Sequence, residues 1–167
     1  RVNAAWRQTR PIEMKDVTRG LLVAGASLSR YQSRSRLSPK HGDPDIELPG
    51  VNLDDANLSW ATIRRVNFVG ASMRKTDLTA TTLVACDFTG ADLSGADLSS
   101  ANTTGTTFRN AILVDATLKS VFVRIDDFLG ADLSGARRSA RDGYIPGWDT
   151  RDVPGTGGMA QTLVRDT

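Results

Sequence analysis

ADLSGADLSSAN, residues 91–102, states a five-residue phrase twice and begins a third: a small residue, Asp or Asn, a large apolar residue, then two small polar ones. The phrase extends in both directions without an insertion. Its central residue runs from Leu53 through Leu58, Ile63 and Phe68 to Phe128 and Leu133, giving seventeen units of which sixteen are apolar at the centre and one is Thr103. Two places before each centre stands a small or β-branched residue, except at Asp126; one place before it, ten of the seventeen residues are Asn or Asp. A missed period would misassign the whole fold, so this count precedes every other reading.

A strict period of five fits neither a helix, where side chains recur every 3.6 residues, nor a flat strand, where they recur every two. It fits a chain that turns a corner every five residues. The centre and the residue two before it point to the same side, as in a short strand, and the remaining residues make the bend. Phe occupies the centre only at 68, 88, 108 and 128, and two places after these stand Gly70, Gly90, Asn110 and Gly130. Gly and Asn accept positive φ most readily, so one edge of a four-sided coil is expected to use the same turn each time. Coils stacked at about 4.8 Å then make a rod of about four coils and roughly 20 Å. Phe68, Phe88, Phe108 and Phe128 form one interior ladder, and Leu58, Leu78, Leu98 and Leu118 a second.

The segments ADLSGADLSSAN (91–102) and ADLSGA (131–136) resemble the pentapeptide-repeat family, whose motif is A(D/N)LXX. The resemblance covers about half the chain, residues 51–136, and implies an all-β solenoid, a right-handed quadrilateral β-helix. It carries no specific chemistry. Asp126, at an inward position, needs neutralisation, local amide bonds or a distortion that swings it out, with Arg124 the nearest partner by sequence. Thr103 reads as a tolerated core residue whose hydroxyl meets a neighbouring carbonyl.

Three segments are expected. Residues 1–45 form a basic arm, with a short amphipathic helix or irregular stretch in Pro11–Arg30 weakened by Gly20 and Gly25, followed by a polar linker over 31–45. Residues 46–136 form the β-helix, with Ile46–Gly50 already in phase. Residues 137–167 form an irregular C-terminal cap, in which Tyr144, Ile145 and Trp148 seal the last coil, and a flexible stretch from Pro154 to Gly158.

Composition narrows the function. The chain has 167 residues, 40% hydrophobic and 24% charged, which suits one globular domain with short appendages. The longest apolar stretch, Leu21–Ala24, is far short of a membrane span, and the basic segment ahead of it is longer than an ordinary signal-peptide n-region, so a cytoplasmic location is expected. The net charge of +2 conceals an asymmetry: residues 1–40 hold nine basic groups against Glu13 and Asp16, whereas residues 51–136 hold seven basic and ten acidic groups. The arm could meet nucleic acid, but Arg30, Arg34 and Arg36 are interspersed with Ser and Gln as in a solvated segment, and direct nucleic-acid binding ranks lowest. With one Cys (Cys86) and one His (His41), neither a disulfide nor a metal site nor a cofactor is expected. Asp54-Asp55 and Asp126-Asp127 are the only paired carboxylates, and neighbours in such a coil point apart, so no enzyme is expected.

A surface remains. Trp60, Ile112, Val114, Phe122, Ile125 and Leu129 stand at outward positions and suggest a contact patch for a protein partner or a second copy of the chain. The first expectation is therefore a non-catalytic protein-binding scaffold. The family resemblance implies the alternative: a DNA-mimicking rod that modulates or protects DNA gyrase or topoisomerase IV, as in quinolone resistance. Its carboxylates would be Asp77, Asp87, Asp92, Asp97, Asp127 and Asp132. Arg64, Arg65, Arg74 and Lys75 interrupt that field, and Asp before a centre can instead bond to turn amides.

Overall fold

The computed structural model describes residues 36–38, 41, 45–121, 125–142, 144–156 and 160–165. The expected helix in Pro11–Arg30, residues Phe122 and Arg124, and the side chains of Ile125 and Asp126 lie outside the described residues.

Short strands and single bridges carry the repeats: β1 (Arg36–Leu37), β2 (Ile46–Glu47), β3 (Thr62–Arg64), β4 (Val66–Asn67) and β5 (Thr82–Val84). They do not join into one closed sheet. Their partners are parallel and, with one exception, lie twenty residues on. One ladder runs Asn52, Ser72, Asp92, Ile112, Asp132, and a second runs Asn57, Asp77, Asp97, Thr117, Arg137. A third runs through Thr62, Thr82 and Asn102, and a fourth through Glu47, Asn67, Asp87 and Thr107. The exception is β1, which pairs with β3 through Arg36↔Thr62 and Leu37↔Ile63. Residues 36–37, expected as linker, thus add a strand to the third ladder.

The period of five arises because each inward side chain is followed by the same corner. The amide of Ala96 donates to the Leu93 carbonyl at 3.0 Å, that of Ala91 to Phe88 at 3.0 Å and that of Ala101 to Leu98 at 2.9 Å, so each centre opens a four-residue turn. The third residue of such a turn needs positive φ, and it has it far beyond the one edge expected from Gly70, Gly90, Asn110 and Gly130. Trp60, Lys75, Ala80, Ser100, Asp115 and Ser120 hold φ between 53° and 60°, and Gly95 and Gly135 hold 67° and 69°. None of these is β-branched, the class that tolerates the left-handed region least. The corner after Leu83 on the third ladder differs: the Cys86 amide donates to Thr106 Oγ1 at 3.2 Å, and that hydroxyl donates to the Leu83 carbonyl at 3.0 Å. Thr76 and Thr81 likewise send buried hydroxyls to the carbonyls of Leu53 and Leu58, both at 2.8 Å. Asn and Asp precede the centre because their side-chain oxygens close the following turn, as Asp97 does with the Ser99 amide at 2.8 Å.

Inside, Phe68, Phe88, Phe108 and Phe128 stack with centroids 4.9, 5.1 and 4.9 Å apart and rings within 18° of parallel. The first three are fully buried, and Leu48 continues the column above them at the in-phase position of β2. Each stacked pair adds about 0.5–1.5 kcal/mol beyond area burial.

The end departs most from expectation. The ladder does not stop at Ala136. Arg137 bridges Thr117, the Leu118 amide donates to the Arg137 carbonyl at 2.7 Å, and Arg138 is buried in phase beneath Leu118. β6 (Arg137–Ser139) then pairs with β8 (Ala160–Arg165), and β8 with β7 (Trp148–Asp152), as a three-stranded antiparallel sheet in the order β6-β8-β7. The cap is therefore a sheet, not irregular. A rung ending in open amides and carbonyls favours a further strand, and β8 supplies it to β6. Ile145, Trp148 and Leu163 are buried with the core, while Tyr144, 69% exposed, does not seal the last repeat as expected; it directly precedes the bridged pair Ile145↔Trp148, whose two side chains take the buried positions. Pro154, Gly155 and Thr156 are held in the β7–β8 turn, with Thr156 Oγ1 donating to the Val153 carbonyl at 2.7 Å. No described helix is long and apolar enough to cross a membrane.

Candidate interaction surface

The ladders carry Asp77, Asp87, Asp92, Asp97, Asp132 and Ile112, and the register decides which of them meet. Asp77 and Asp97 are bridged directly, one above the other. Asp87 stands on the fourth ladder and Asp92 and Asp132 on the first, the latter two separated by Ile112. Asp127 lies half-buried in the 3₁₀ turn Ile125–Phe128. The five repeat carboxylates are thus spread over three ladders, with Asp127 in the 3₁₀ turn, and form no single stripe.

Each of the repeat aspartates is also engaged locally. Asp77 accepts the Thr79 amide at 2.9 Å, Asp87 that of Thr89 at 2.8 Å, and Asp132 both the amide (3.0 Å) and the hydroxyl (2.7 Å) of Ser134. Those two Ser134 bonds, opposed by burial and helped by Arg165, hold the Asp132 carboxyl below the usual range. Asp92 is the most constrained. Burial works to raise it, but the Ser94 hydroxyl and amide and the Arg74 guanidinium, with Nε 2.7 Å from Oδ2, outweigh burial and lower it. The same contact raises Arg74, chiefly through its hydrogen bond to Asp92. Arg74 thereby neutralises one carboxylate of the proposed acidic field.

The paired carboxylates Asp54 and Asp55 are held apart. Asp54 accepts the Ser72 hydroxyl at 2.7 Å and the Arg74 amide at 2.9 Å, tying it to the next rung, whereas Asp55 is a corner residue with φ 57°. Burial pushes the Cys86 thiol up to about 11 against the lowering pull of nearby backbone groups and the Thr106 hydroxyl, so it stays protonated at neutral pH. Among the described residues no three His, Cys, Asp or Glu side chains are placed to hold a metal ion.

The apolar candidates separate into two places. Trp60, 65% exposed, is a corner residue following the second ladder in the first rungs. Ile112 and Leu129, 42% and 63% exposed, belong to the last rungs: Ile112 bridges Asp132, and the Leu129 carbonyl accepts the Asn110 amide at 3.0 Å, so both flank the corner between the fourth and first ladders. Val114 is half-buried one turn beyond Ile112. The sequence reading missed Arg138, whose place five residues after Leu133 makes it an eighteenth centre, and Asp142, whose Oδ2 accepts the amides of Ser139 (2.7 Å) and Ser120 (3.3 Å). Burial lowers the Arg138 guanidinium, and Asp142 opposes that shift.

A family model of pentapeptide repeats matches residues 52–90 and 91–122 in eight copies. Among solved structures, a pentapeptide-repeat protein, Rfr23, from the cyanobacterium Cyanothece 51142 is 23% identical with a TM-score of 0.54, over 72% of this chain and 95% of that one. HetL, involved in heterocyst differentiation regulation in Nostoc sp. strain PCC 7120, is 30% identical with a TM-score of 0.42, over 67% of this chain and 48% of that one. QnrB1, a plasmid-mediated fluoroquinolone resistance protein, is 23% identical with a TM-score of 0.49, over 60% of this chain and 46% of that one. The chain spans about half the length of the latter two. No curated protein sequence matches it.

Proposed function

From a chain whose residues 52–122 are pentapeptide repeats, we propose a non-catalytic, right-handed, four-sided β-helical rod that presents its outer surface to a protein partner. Trp60 carries this reading. On its own line of corners the later residues are Ala80, Ser100 and Ser120, all small. Any residue with a Cβ loses about 1–2 kcal/mol there, and a 65% exposed indole recovers little of that by burial. Strain held in place around an exposed aromatic points to a contact, since Trp is the residue type most enriched among the anchors of protein interfaces. Ile112 and Leu129 extend the apolar surface in the last rungs.

The test is affinity capture from a lysate of the source organism with the full chain, beside Trp60→Ser and an Ile112→Ser, Leu129→Ser pair. A protein retained by the parent and lost from either variant, with melting temperatures unchanged or raised, supports the reading. A partner retained equally by all three refutes it.

A second reading, modulation of DNA gyrase or topoisomerase IV by DNA mimicry, has one favourable observation: the direct stacking of Asp77 on Asp97. Density weighs against it. A duplex carries about one charge per 1.7 Å, or roughly 12 over a 20 Å rod, whereas six candidate carboxylates are present and Arg74 cancels one. Protection of gyrase supercoiling from a quinolone, abolished by Asp77→Lys and Asp97→Lys, would establish this alternative in place of the first.

A further inference from the structure

The strand β7, Trp148-Asp149-Thr150-Arg151-Asp152, is the outer strand of the C-terminal sheet, and among the described residues no strand pairs with its far side. Residues 149–152 are all exposed. In an antiparallel pair, successive residues turn their backbone groups alternately toward the partner and away from it. The Val153 amide donates to the Ala160 carbonyl at 3.0 Å, which assigns the odd-numbered positions, Arg151 and Asp149, to bonding with β8. Thr150 and Asp152 therefore turn their amides and carbonyls outward. Leu163, opposite Thr150, agrees with this phase, since its own amide and carbonyl bond to Ala136 and Gly135 on the other side.

We propose that β7 pairs with β7 of a second copy of this chain, antiparallel about a two-fold axis at Thr150, joining two three-stranded sheets into one of six strands. In that register the two Thr150 residues exchange amide-to-carbonyl bonds. The outward Asp152 amide of each copy meets the Trp148 carbonyl of the other; the Trp148 amide is already committed to the Ile145 carbonyl at 3.1 Å and is not required. Asp149 of one copy then faces Arg151 of the second, and Arg151 faces Asp149, both at non-hydrogen-bonded positions where side chains approach most closely.

Charge selects both the occupant and the register. A two-fold axis at Arg151 sets two arginines against each other, and an axis at Asp149 or Asp152 sets two aspartates together. Only the register centred on Thr150 opposes unlike charges at every charged pair within the strand. Scattered charges on an edge ordinarily discourage pairing; here they discourage every two-fold register centred on a charged residue, and a register centred on Trp148 opposes no charges and pairs only that residue within the strand. The inference rests on strand pairing and is independent of whether Trp60 binds a protein.

Sedimentation velocity on the full chain from about 1 μM to about 100 μM tests it. A concentration-dependent dimer is expected. Arg151→Asp opposes like charges and should weaken association at least about tenfold, and the double exchange Asp149→Arg, Arg151→Asp should restore it to within about threefold. Thr150→Pro removes the central outward amide, which β8 does not use, and should abolish the dimer with an unchanged circular dichroism spectrum. A chain that remains monomeric over the whole range overturns the proposal. So does a dimer indifferent to Arg151→Asp and Thr150→Pro, or a double exchange that fails to rescue.

Discussion

Replacing Ala80 with Gly should stabilise the protein, although it removes a methyl group and frees the unfolded chain. Ala80 sits at φ 53° at the corner after Leu78, and its amide donates to the Ser99 carbonyl at 2.8 Å, so the left-handed conformation is fixed by pairing with the next rung. An L-residue held there loses about 1–2 kcal/mol against the right-handed alternative. Glycine avoids that loss but costs about 0.5–1 kcal/mol in the entropy of the unfolded chain. The difference is a net gain of about 0.5–1 kcal/mol for Ala80→Gly. The opposite change supplies the control. Gly130 holds φ 75°, and a Cβ built on it would collide with the Asn110 side chain one rung above, so Gly130→Ala should cost more than the corner strain alone. Guanidinium denaturation followed by circular dichroism compares the midpoints of both variants with the parent. The reasoning fails if Ala80→Gly lowers the midpoint, or if Gly130→Ala leaves it unchanged.

Cys86 should make the fold sensitive to alkali. Its folded pKa of about 11 stands above the ordinary thiol value of 9.0, so the protonated thiol contributes stability that is fully present below pH 9 and lost as the pH rises toward 11. The loss amounts to about 3 kcal/mol by linkage, and melting curves from pH 8 to 11 should show a steeper decline for the parent than for Cys86→Ala; parallel declines would exclude the thiol as the cause. Asp132 and Asp92, both held below the ordinary carboxylate range, act in the other direction: their contribution is present above about pH 4 and disappears as acid protonates them, so Ser134→Ala should reduce the acid sensitivity of the melt. Asp142→Ala leaves the Ser120 and Ser139 amides without their acceptor at the end of the last rungs and should cost about 1–2 kcal/mol, read as a lower denaturation midpoint. Phe108→Ala, which empties the middle of the aromatic column, should cost about 3–5 kcal/mol; a midpoint shift below a third of that would mean the ring stack is not a main support of the rod.

The repeat was legible from residues alone because one physical constraint acts on each unit in isolation. Leu93 must face inward, Ala91 must be small enough for the same side, and Asp92 can close the next turn through the Ser94 amide; none of these needs knowledge of the rest of the chain. The twenty-residue spacing of the Phe column followed from the same local rule applied four times. The corners were only partly legible. Gly70 and Gly90 announce positive φ, but Trp60, Lys75 and Ala80 adopt it because pairing with the next rung compels them, and local preference argues against it.

The surface was less legible still, because outward residues obey no such rule. Register separates Trp60 from Ile112 and Leu129 and sets Asp77 on Asp97 while moving Asp87 and Asp92 to other sides, which no five-letter phrase reveals by itself. Arg74 meets Asp92 from eighteen residues away, a distance at which sequence offers only two charges of opposite sign. The sequence by itself determined the period, the inward column and the turn chemistry, since each is a property of five consecutive residues. The tertiary structure decided how the repeats end. The antiparallel order β6-β8-β7, the burial of Arg138 beneath Leu118 and the open edge of β7 depend on a segment returning to a rung already built, and contacts between distant segments leave no period in the chain to be read.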